Sequence, residues 1–453
     1  MEILDRLPIF MFVVLAALMF TGYPVAFVLG GTALIFGMIG YALDVFTFIE
    51  FYNITARIWG SVAENPVYVA IPMFIFMGMM LEKSGIATDL LYCLQVLLRR
   101  VPGGLAISVT LLGTIMAATT GIVGASVIMM TLLALPVMLA RGYQPELATG
   151  TIAASGTLGI LIPPSIMLVI LADLLAVSVG ELFMGALIPG LILSGLYVAF
   201  ILLICAIKPR LAPPLGDHEG PSSAGALFSL VLRGFLPAVF LIVLVLGSIF
   251  FGWATPTEAG GVGAFGAILL AYMKGNLKLP ILREVLEQSA RTNVMIFMIF
   301  LGATAFSYVF RSLGGDDMIS AFFEELGIGP AGIIFIMMFV VFLMGFFFDW
   351  VEIILIILPV FVPILETLDL GTHVAKEDFL VWFAILLAVN LQTSYLTPPF
   401  GYALFYMKGA KIPGITMLHI YRGIVPFVLL QLTGLLIIVM FPSLVLWLPK
   451  MMK

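Results

Sequence analysis

Charged side chains are scarce in this sequence, and so are cysteine and histidine. Only 10% of the 453 residues are Asp, Glu, Lys or Arg, and the thinly spread net charge of −5 argues against a nucleic-acid partner. Cys93 and Cys205 lie in or beside apolar runs, and their spacing indicates neither a metal site nor a disulfide. His218, His373 and His419 are scattered, so they predict no zinc site or catalytic dyad. The sequence also lacks a Gly-x-x-x-x-Gly-Lys-Ser/Thr motif, which excludes direct use of ATP by this chain.

Long runs of apolar residues are abundant in the sequence. Hydrophobic residues make up 62% of the chain and the mean hydropathy is +1.22, far above the usual range of soluble domains. Runs of about 18 to 25 apolar residues recur, which is the length of a helical span and not of a barrel strand. The sequence therefore predicts an all-α polytopic membrane protein. The first run, from Ile3, is interpreted as a retained span and not as a signal peptide.

Two apolar segments are each interrupted by a Pro-Pro pair, Pro163-Pro164 and Pro398-Pro399. Proline removes an amide donor, so a helix that breaks here leaves carbonyls and helix ends free inside the membrane, as in transporter binding sites. The pairs belong to a set of landmarks that recur in the same order: Gly22-Tyr-Pro24 with Ala254-Thr-Pro256, Leu135-Pro136-Val137 with Leu358-Pro359-Val360, and then the prolines. This order predicts a first repeat at 1–207, a cytoplasmic linker at 208–227 and a second repeat at 228–453.

Lysine and arginine in the short loops indicate how the two repeats are oriented. Arg99, Arg100 and Arg141 flank one apolar segment and place both of its ends in the cytoplasm, whereas its counterpart has acidic flanks and both ends outside. About five crossings, one re-entrant hairpin and one broken helix in each repeat satisfy these charges, with the repeats inverted and both termini periplasmic. Ordinary pairs of crossing helices are the alternative to the hairpins. The predicted hairpins are 103–140 and 329–366, and the predicted broken helices are 145–177 and 378–407.

The turns of the hairpins carry the residues that could bind ions. The first turn, 119–126, is rich in glycine and hydroxyl side chains, which allow close backbone approach and supply oxygen ligands, although helix packing alone also explains them. The second turn contains Asp349 and Glu352, and an unpaired carboxylate inside an apolar segment costs at least about 2.5 kcal/mol. These carboxylates therefore need a partner, an ion, or water at a cavity lip. We expect one ion site in each repeat, where the turn meets the broken helix.

Two other features are weaker. Gly314-Gly-Asp-Asp317 resembles the glycine-aspartate motif of intramembrane proteases only loosely, and it lies at the end of a span. A hydrolase would require peptide cleavage that depends on Asp317 or Asp349. The amphipathic stretches 46–59 and 279–291 occupy equivalent places in the two repeats and are expected to lie along the membrane interface, with ordinary loops as the alternative.

Taken together, these motifs resemble one transporter family. The segments Gly-Thr-Leu-Gly-x-x-Ile-Pro-Pro-Ser at 156–165, Gly-Phe-Phe-Phe-Asp-Trp-Val-Glu at 345–352 and Asn-Leu-Gln-Thr-Ser-Tyr-Leu-Thr-Pro-Pro-Phe-Gly at 390–401 resemble the large, DctM-type subunit of tripartite ATP-independent periplasmic (TRAP) transporters. The resemblance covers essentially the whole chain. It implies an elevator-type secondary transporter in the bacterial inner membrane, which is not an enzyme and has Na⁺ as coupling ion and no other cofactor.

The resemblance also implies which residues bind the ligands. The first sodium site would use Gly121, Gly124, Ser126, Ser155, Gly156 and Thr157. The second sodium site would use Gly345, Asp349, Glu352, Gln392, Thr393 and Ser394. The substrate carboxylate would face helix N-termini between the two turns, whose dipoles favour anions. Its binding residues would be Thr120, Ser126, Pro163, Pro164, Pro398 and Pro399.

The implied partners are a small four-helix membrane subunit of DctQ type, a periplasmic substrate-binding protein of DctP type and the lipid bilayer, without an ATPase subunit. Many members have a Ser-Gly-Ser turn where this chain has Thr120-Gly121 and then Gly124-Ala125-Ser126, a difference that favours backbone ligands over side-chain ligands there. The form of the second turn favours a 2-oxo acid, lactate or mannitol over sialic acid, and a C4-dicarboxylate stays open. A stand-alone sodium/carboxylate symporter or sodium/proton antiporter is the alternative.

Overall fold

The computed structural model describes residues 6–120, 123–214, 220, 223–398 and 401–451. Every regular element in these ranges is a helix, and nine of the described helices are long and apolar enough to cross a membrane. The prediction of an all-α, multi-pass membrane protein is therefore confirmed. Gly121 and Pro399 lie outside the described residues.

The first half of the chain forms ten α-helices. In order they are α1 (Leu7–Met19), α2 (Val25–Ala42), α3 (Phe48–Ile58), α4 (Ala70–Lys83), α5 (Ile86–Leu97), α6 (Gly104–Thr120), α7 (Val123–Ala140), α8 (Pro145–Thr157), α9 (Ile166–Leu174) and α10 (Val179–Ile207). A π-helical turn, Trp59–Ala63, and a 3₁₀ turn, Pro66–Val69, connect α3 to α4. Another 3₁₀ turn, Leu158–Ile160, follows α8.

The second half forms eleven α-helices. They are α11 (Ala224–Leu230), α12 (Leu236–Phe250), α13 (Pro256–Met273), α14 (Leu279–Ser312), α15 (Gly315–Leu326), α16 (Pro330–Met344), α17 (Trp350–Thr367), α18 (Phe379–Leu396), α19 (Tyr402–Gly409), α20 (Met417–Met440) and α21 (Ser443–Met451). The amphipathic stretch 279–291 is not a separate helix, because α14 runs through it without interruption to Ser312.

Local sequence explains where several of these helices begin and end. Thr255 caps α13 together with Glu258, and Pro256 occupies the first turn, where its missing amide would have no partner anyway. After α8, the chain passes Pro163-Pro164 and resumes as α9, with Ser165 as its N-cap residue. Proline cannot donate to the helical hydrogen-bond ladder, so the break coincides with the doubled proline.

Helices of the first half pack against helices of the second half. Helix α2 packs on α14 and α4 on α13, while α8 packs on α20 and α10 on α18. We call α6 with α7 the first hairpin, α16 with α17 the second hairpin, α8 with α9 the first broken helix, and α18 with α19 the second broken helix. Helix α8 contacts both helices of the first hairpin, and α18 contacts both helices of the second. Each hairpin is therefore adjacent to the broken helix that follows it in the chain.

Candidate functional site

The first hairpin lies unusually close to the first broken helix because glycine occupies the contact points. A Cβ atom on Gly113 would lie only 2.7 Å from the carbonyl oxygen of Ser155, and one on Gly156 would lie 3.2 Å from the Met130 methyl carbon. Ser155 and Thr157 are both buried at this contact. The structure thus brings together hydroxyl groups and closely spaced backbone, which is the arrangement that the glycine-rich sequence suggests.

The other residues predicted for the first sodium site lie near the start of α7. Ser126 is buried there, and Gly124 packs elsewhere, on an aromatic ring of α19. Gly121 and the side chain of Thr120 lie outside what the structure describes.

The second hairpin meets the second broken helix at another glycine. A Cβ atom on Gly345 would overlap the hydroxyl oxygen of Ser394 and lie 2.5 Å from its Cβ atom. Thr393 donates its hydroxyl hydrogen to Val389 at 2.9 Å, and Ser394 donates to Leu391 at 2.7 Å. A hydroxyl that donates to its own helix still has lone pairs to offer, so both oxygens remain acceptors.

Asp349 and Glu352 both cap the N-terminus of α17, but they face different neighbours. Asp349 Oδ1 accepts hydrogen bonds from the Trp350 amide at 2.7 Å and from the Tyr395 hydroxyl of α18 at 3.0 Å. Glu352 Oε2 accepts from the Asp349 amide at 3.2 Å. The Asp349 carboxylate is therefore directed to the second broken helix, whereas Glu352 also lines a cavity.

The two broken helices are joined through amide side chains in the core. Gln392 Nε2 donates to Thr157 Oγ1 at 3.3 Å, and Gln431 Nε2 of α20 donates to the same oxygen at 3.5 Å. Within the described residues, the Oε1 atoms of both glutamines are buried without a hydrogen-bond partner. Buried carbonyl oxygens of this kind normally need a donor, water or a cation. Sequence reasoning missed Gln431 because it lies in an ordinary apolar span with no neighbouring motif.

A cavity of about 700 Å³ lies beside the second hairpin, and we call it the tyrosine cavity. Its lining residues are Met19, Phe20, Val25, Phe346, Phe347, Phe348, Glu352, Tyr402, Phe405 and Tyr406. They come from the end of α1, the start of α2, the second hairpin and α19. Most of the lining is aromatic, as in many small-molecule sites, and the polar groups are one carboxylate and two phenols.

Helix α19 connects the tyrosine cavity to the first hairpin. A Cβ atom on Gly124 would lie 2.6 Å from the ring of Tyr406, so α7 packs directly on that ring. The Tyr402 and Tyr406 rings are neighbours, with centroids 5.2 Å apart. Helix α19 therefore packs on the first hairpin and lines the same cavity as the second hairpin. The two tyrosines were not predicted as site residues, although an aromatic pair four residues apart, directly after a Pro-Pro break, is a recognisable signal.

The prolines proposed as substrate residues lie elsewhere. Pro163 and Pro164 are buried, and the adjoining Ile162 packs against Gly190 of α10. Pro398 is half-buried, and none of these three lines the tyrosine cavity. The structure thus places the described prolines at the breaks of the helices and not at the cavity surface.

Comparison with known proteins gives one family. Residues 12–444 match the family model described as the tripartite ATP-independent periplasmic transporter, DctM component. The chain is 30% identical over 390 residues to the C4-dicarboxylate TRAP transporter large permease protein DctM of Pseudomonas aeruginosa, with 86% of this chain and 87% of that protein covered. It is 25% identical over 435 residues to the sialic acid TRAP transporter large permease protein SiaM of Vibrio cholerae, with 96% of each covered.

Solved structures of two transporters are similar in fold. The YdaH transporter of Alcanivorax borkumensis superposes with a TM-score of 0.61 at 16% identity, over 88% of each chain. MtrF of Neisseria gonorrhoeae, described as illuminating a class of antimetabolite efflux pumps, superposes with a TM-score of 0.54 at 12% identity. The coverage for MtrF is 89% of this chain and 84% of that one. At these identities the likeness concerns the fold.

Proposed function

Since this chain belongs to the DctM component family of TRAP transporters, we propose that it imports a small organic acid by secondary transport driven by a sodium gradient. As a large permease of this family it is a multi-pass membrane transporter and not an enzyme. The observation that carries the proposal is the pairing of each hairpin with a broken helix through a glycine contact. The first hairpin also packs on α19, which lines the tyrosine cavity together with the second hairpin.

The proposed sodium sites follow from the oxygen atoms at these contacts. Na⁺ is a hard cation that prefers carbonyl, hydroxyl and carboxylate oxygens. At the first contact the oxygens come from Ser155, Thr157 and backbone near the start of α7. At the second they come from Thr393, Ser394 and Asp349, whose carboxylate is already directed to α18 through Tyr395. Each site would join a hairpin to a broken helix, so ion binding would stabilise that contact.

The proposed substrate site is the tyrosine cavity and the adjoining start of α7. The N-terminus of α17 is occupied by its own carboxylates, Asp349 and Glu352, which leaves little room for a substrate anion there. The first turn of α7 contains no acidic residue. A substrate carboxylate would therefore bind at the start of α7, where the helix dipole favours an anion.

The direction of opening follows from the orientation inferred from charged loops. If the N-terminus is periplasmic, the end of α1 and the start of α2 lie at the cytoplasmic face, and both line the tyrosine cavity. The cavity then opens to the cytoplasm, which corresponds to an inward-facing state. An elevator motion of the hairpins and broken helices against the remaining helices would open it to the periplasm.

The proposed partners are the small four-helix subunit of DctQ type and the periplasmic binding protein of DctP type. A relative supports the first: the chain is 28% identical over 445 residues to the isethionate TRAP transporter permease protein DctMQ of Oleidesulfovibrio alaskensis, of which it covers 66%. The binding protein would deliver substrate at the outer face of the bacterial inner membrane.

Uptake into proteoliposomes tests this proposal. Labelled pyruvate, lactate, succinate and sialic acid would be offered with an inward sodium gradient, with and without the small subunit and the binding protein. We expect uptake of one acid that requires sodium and the binding protein. Equal uptake without sodium would refute the coupling, and full activity of this chain alone would favour a stand-alone symporter or antiporter.

A further inference from the structure

A second cavity, of about 290 Å³, lies between α3, α9, α14 and α17, and we call it the arginine cavity because Arg57 and Arg311 line it. It shares no lining residue with the tyrosine cavity. The described lining of the tyrosine cavity includes no lysine, arginine or histidine, so a carboxylate there would have no cationic side chain to pair with. The arginine cavity supplies two such side chains, and its volume suits a small molecule.

Both arginines have donors available for a further anion. The guanidinium of Arg57 has no hydrogen-bond or ion-pair partner among the described residues. The guanidinium of Arg311 donates from Nη2 to the carbonyl of Pro359, and its Nε lies 3.5 Å from a carboxylate oxygen of Asp316. A guanidinium carries five N–H donors, so these two contacts leave Arg311 with donors for another acceptor.

The carboxylate in the lining of the arginine cavity is already engaged. Asp173 Oδ1 accepts a hydrogen bond from Asn65 Nδ2 at 2.6 Å, and its Oδ2 accepts one from the Tyr68 hydroxyl. Two arginines and one aspartate are the charged residues of the described lining, which therefore has a net positive charge. This charge favours an anionic ligand over a neutral or cationic one.

One face of α14 adds hydroxyl groups to the arginine cavity. These side chains are three or four residues apart along the helix and therefore lie on the same face: Thr304, Ser307, Tyr308 and Ser312. The hydroxyls of Thr304, Ser307 and Ser312 form no hydrogen bond to another described residue. Each of them can donate to an oxygen of a bound ligand. Polar groups that converge on one cavity in this way are typical of small-molecule sites.

The place of the two arginines in the membrane also needs an explanation. In the orientation inferred from the charged loops, Lys274 and Lys278 put the start of α14 at the cytoplasmic face, so its end, with Arg311, lies at the periplasmic face. Arg57 lines the same cavity and therefore lies at that face too. Arginine and lysine are normally concentrated in cytoplasmic loops, so this pair is not explained by membrane orientation.

We propose that the arginine cavity is an outer receiving site, where the carboxylate of a small organic acid binds Arg57 and Arg311 before the acid enters the transport site. The hydroxyls of α14 donate to the remaining oxygens of the acid. This inference rests on the proposed function, which makes an organic acid the transported molecule, and it adds a second site for that acid. Leu355 and Pro359 line the cavity, so the bound acid lies next to the second hairpin.

Protection of a thiol in the arginine cavity tests the inference. Ser61 lines the cavity, and its hydroxyl donates to the backbone carbonyl of Arg57 at 2.6 Å, so Ser61→Cys introduces a thiol without removing a proposed donor to the ligand. The native thiols of Cys93 and Cys205 are buried, which keeps their reaction slow. Ser312→Cys gives a second thiol position in the same cavity if Ser61→Cys does not fold.

The variant would be purified with the small subunit and without the binding protein. Its thiol would be modified by N-ethylmaleimide, an uncharged reagent whose approach does not depend on the arginines. Pyruvate, lactate or succinate would replace chloride at constant sodium concentration and ionic strength. The dependence of the modification rate on acid concentration gives an apparent Kd for each acid.

We expect at least one of the three acids to slow the modification in a saturable way. Arg57→Gln in the same background raises the apparent Kd tenfold or more, because the carboxylate loses a charge-assisted hydrogen bond. Ser307→Ala, which removes one hydroxyl, raises it by a smaller factor. The control Arg283→Gln removes an exposed arginine from the other end of α14, where it pairs with Glu287, and leaves the apparent Kd unchanged.

If one of these acids is taken up with sodium and none of the three slows the modification, the inference is overturned and the proposed function stands. Protection that is unchanged in both Arg57→Gln and Ser307→Ala also overturns it. So does protection by the empty binding protein but by no free acid, since a carboxylate of that protein would then be the occupant. Protection by an acid that is not taken up with sodium would support the site and contradict the proposed function.

Discussion

Replacing Gly345 by alanine tests the contact between the second hairpin and the second broken helix. The added Cβ would overlap the Ser394 hydroxyl and approach the Ser394 Cβ to 2.5 Å, about 1 Å closer than ordinary van der Waals contact. Ser394 is short and buried, so its side chain cannot swing aside. The hairpin must therefore move away from α18 by a distance of that order.

The size of the effect follows from overpacking and misplacement. Extra carbon atoms in a well-packed core cost about 1–3 kcal/mol. If the strain destabilises the sodium-bound state and not the sodium-free state, the apparent sodium affinity decreases by about 10- to 100-fold, since 1.4 kcal/mol corresponds to a factor of ten. The proposed ligands Ser394 and Asp349 lie on opposite sides of this contact, so their separation changes directly.

The assay is the initial rate of acid uptake as a function of sodium concentration. Gly261→Ala in α13 is the matched control, because a Cβ there would have no atom within 4 Å. We expect the control to keep the wild-type sodium dependence. Wild-type sodium affinity in a correctly inserted Gly345→Ala protein would refute the placement of a sodium site at this contact.

Two further substitutions give independent predictions. Tyr395→Phe removes the 3.0 Å hydrogen bond to Asp349. Because a hydrogen bond to a charged group contributes about 1.5–3 kcal/mol, we expect the sodium concentration for half-maximal uptake to rise about tenfold. An unchanged sodium concentration would show that Asp349 is positioned without this bond. Asp173→Ala removes the acceptor for Asn65 Nδ2, at 2.6 Å, and for the Tyr68 hydroxyl, which join α9 to the turn before α4. We expect this substitution to lower the free energy of unfolding by about 2 kcal/mol, measured as a lower unfolding temperature in detergent. An unaltered unfolding temperature would show that these hydrogen bonds do not stabilise the protein.

The fold was predictable to the extent that it depends on hydropathy and proline. Apolar runs of bilayer length predicted an all-helical membrane protein, and Pro163-Pro164 coincides with the interruption between α8 and α9. The continuity of α14 was predictable from the sequence but was missed, because no glycine or proline separates the amphipathic stretch 279–291 from the span that follows it.

The candidate site was predictable only in part, because its residues come from distant parts of the chain. Glycine and hydroxyl patterns identified Gly156, Gly345 and Ser394, which do form hairpin contacts. Tyr402 and Tyr406 are recognisable as an aromatic pair after the Pro-Pro break, but their place in the site depends on the packing of α19 against α7, which no local pattern specifies.

The second turn shows how one motif can have two physical roles. Asp349 and Glu352 are spaced as a helix capping box, and the structure contains both of its reciprocal hydrogen bonds. Sequence reasoning interpreted them only as ion or cavity residues. Capping fixes the two carboxylates in different directions, with Asp349 directed to Tyr395 of α18 and Glu352 to the tyrosine cavity.

The most direct test of sodium coupling is the dependence of uptake rate on sodium concentration in proteoliposomes that contain this chain, its small subunit and its binding protein. Potassium would replace sodium at constant ionic strength, with the transported acid saturating. Two sodium sites, one at each hairpin contact, predict no uptake in potassium and a sigmoidal rise with sodium, with a Hill coefficient above one. Uptake that proceeds at the same rate in potassium would contradict sodium coupling.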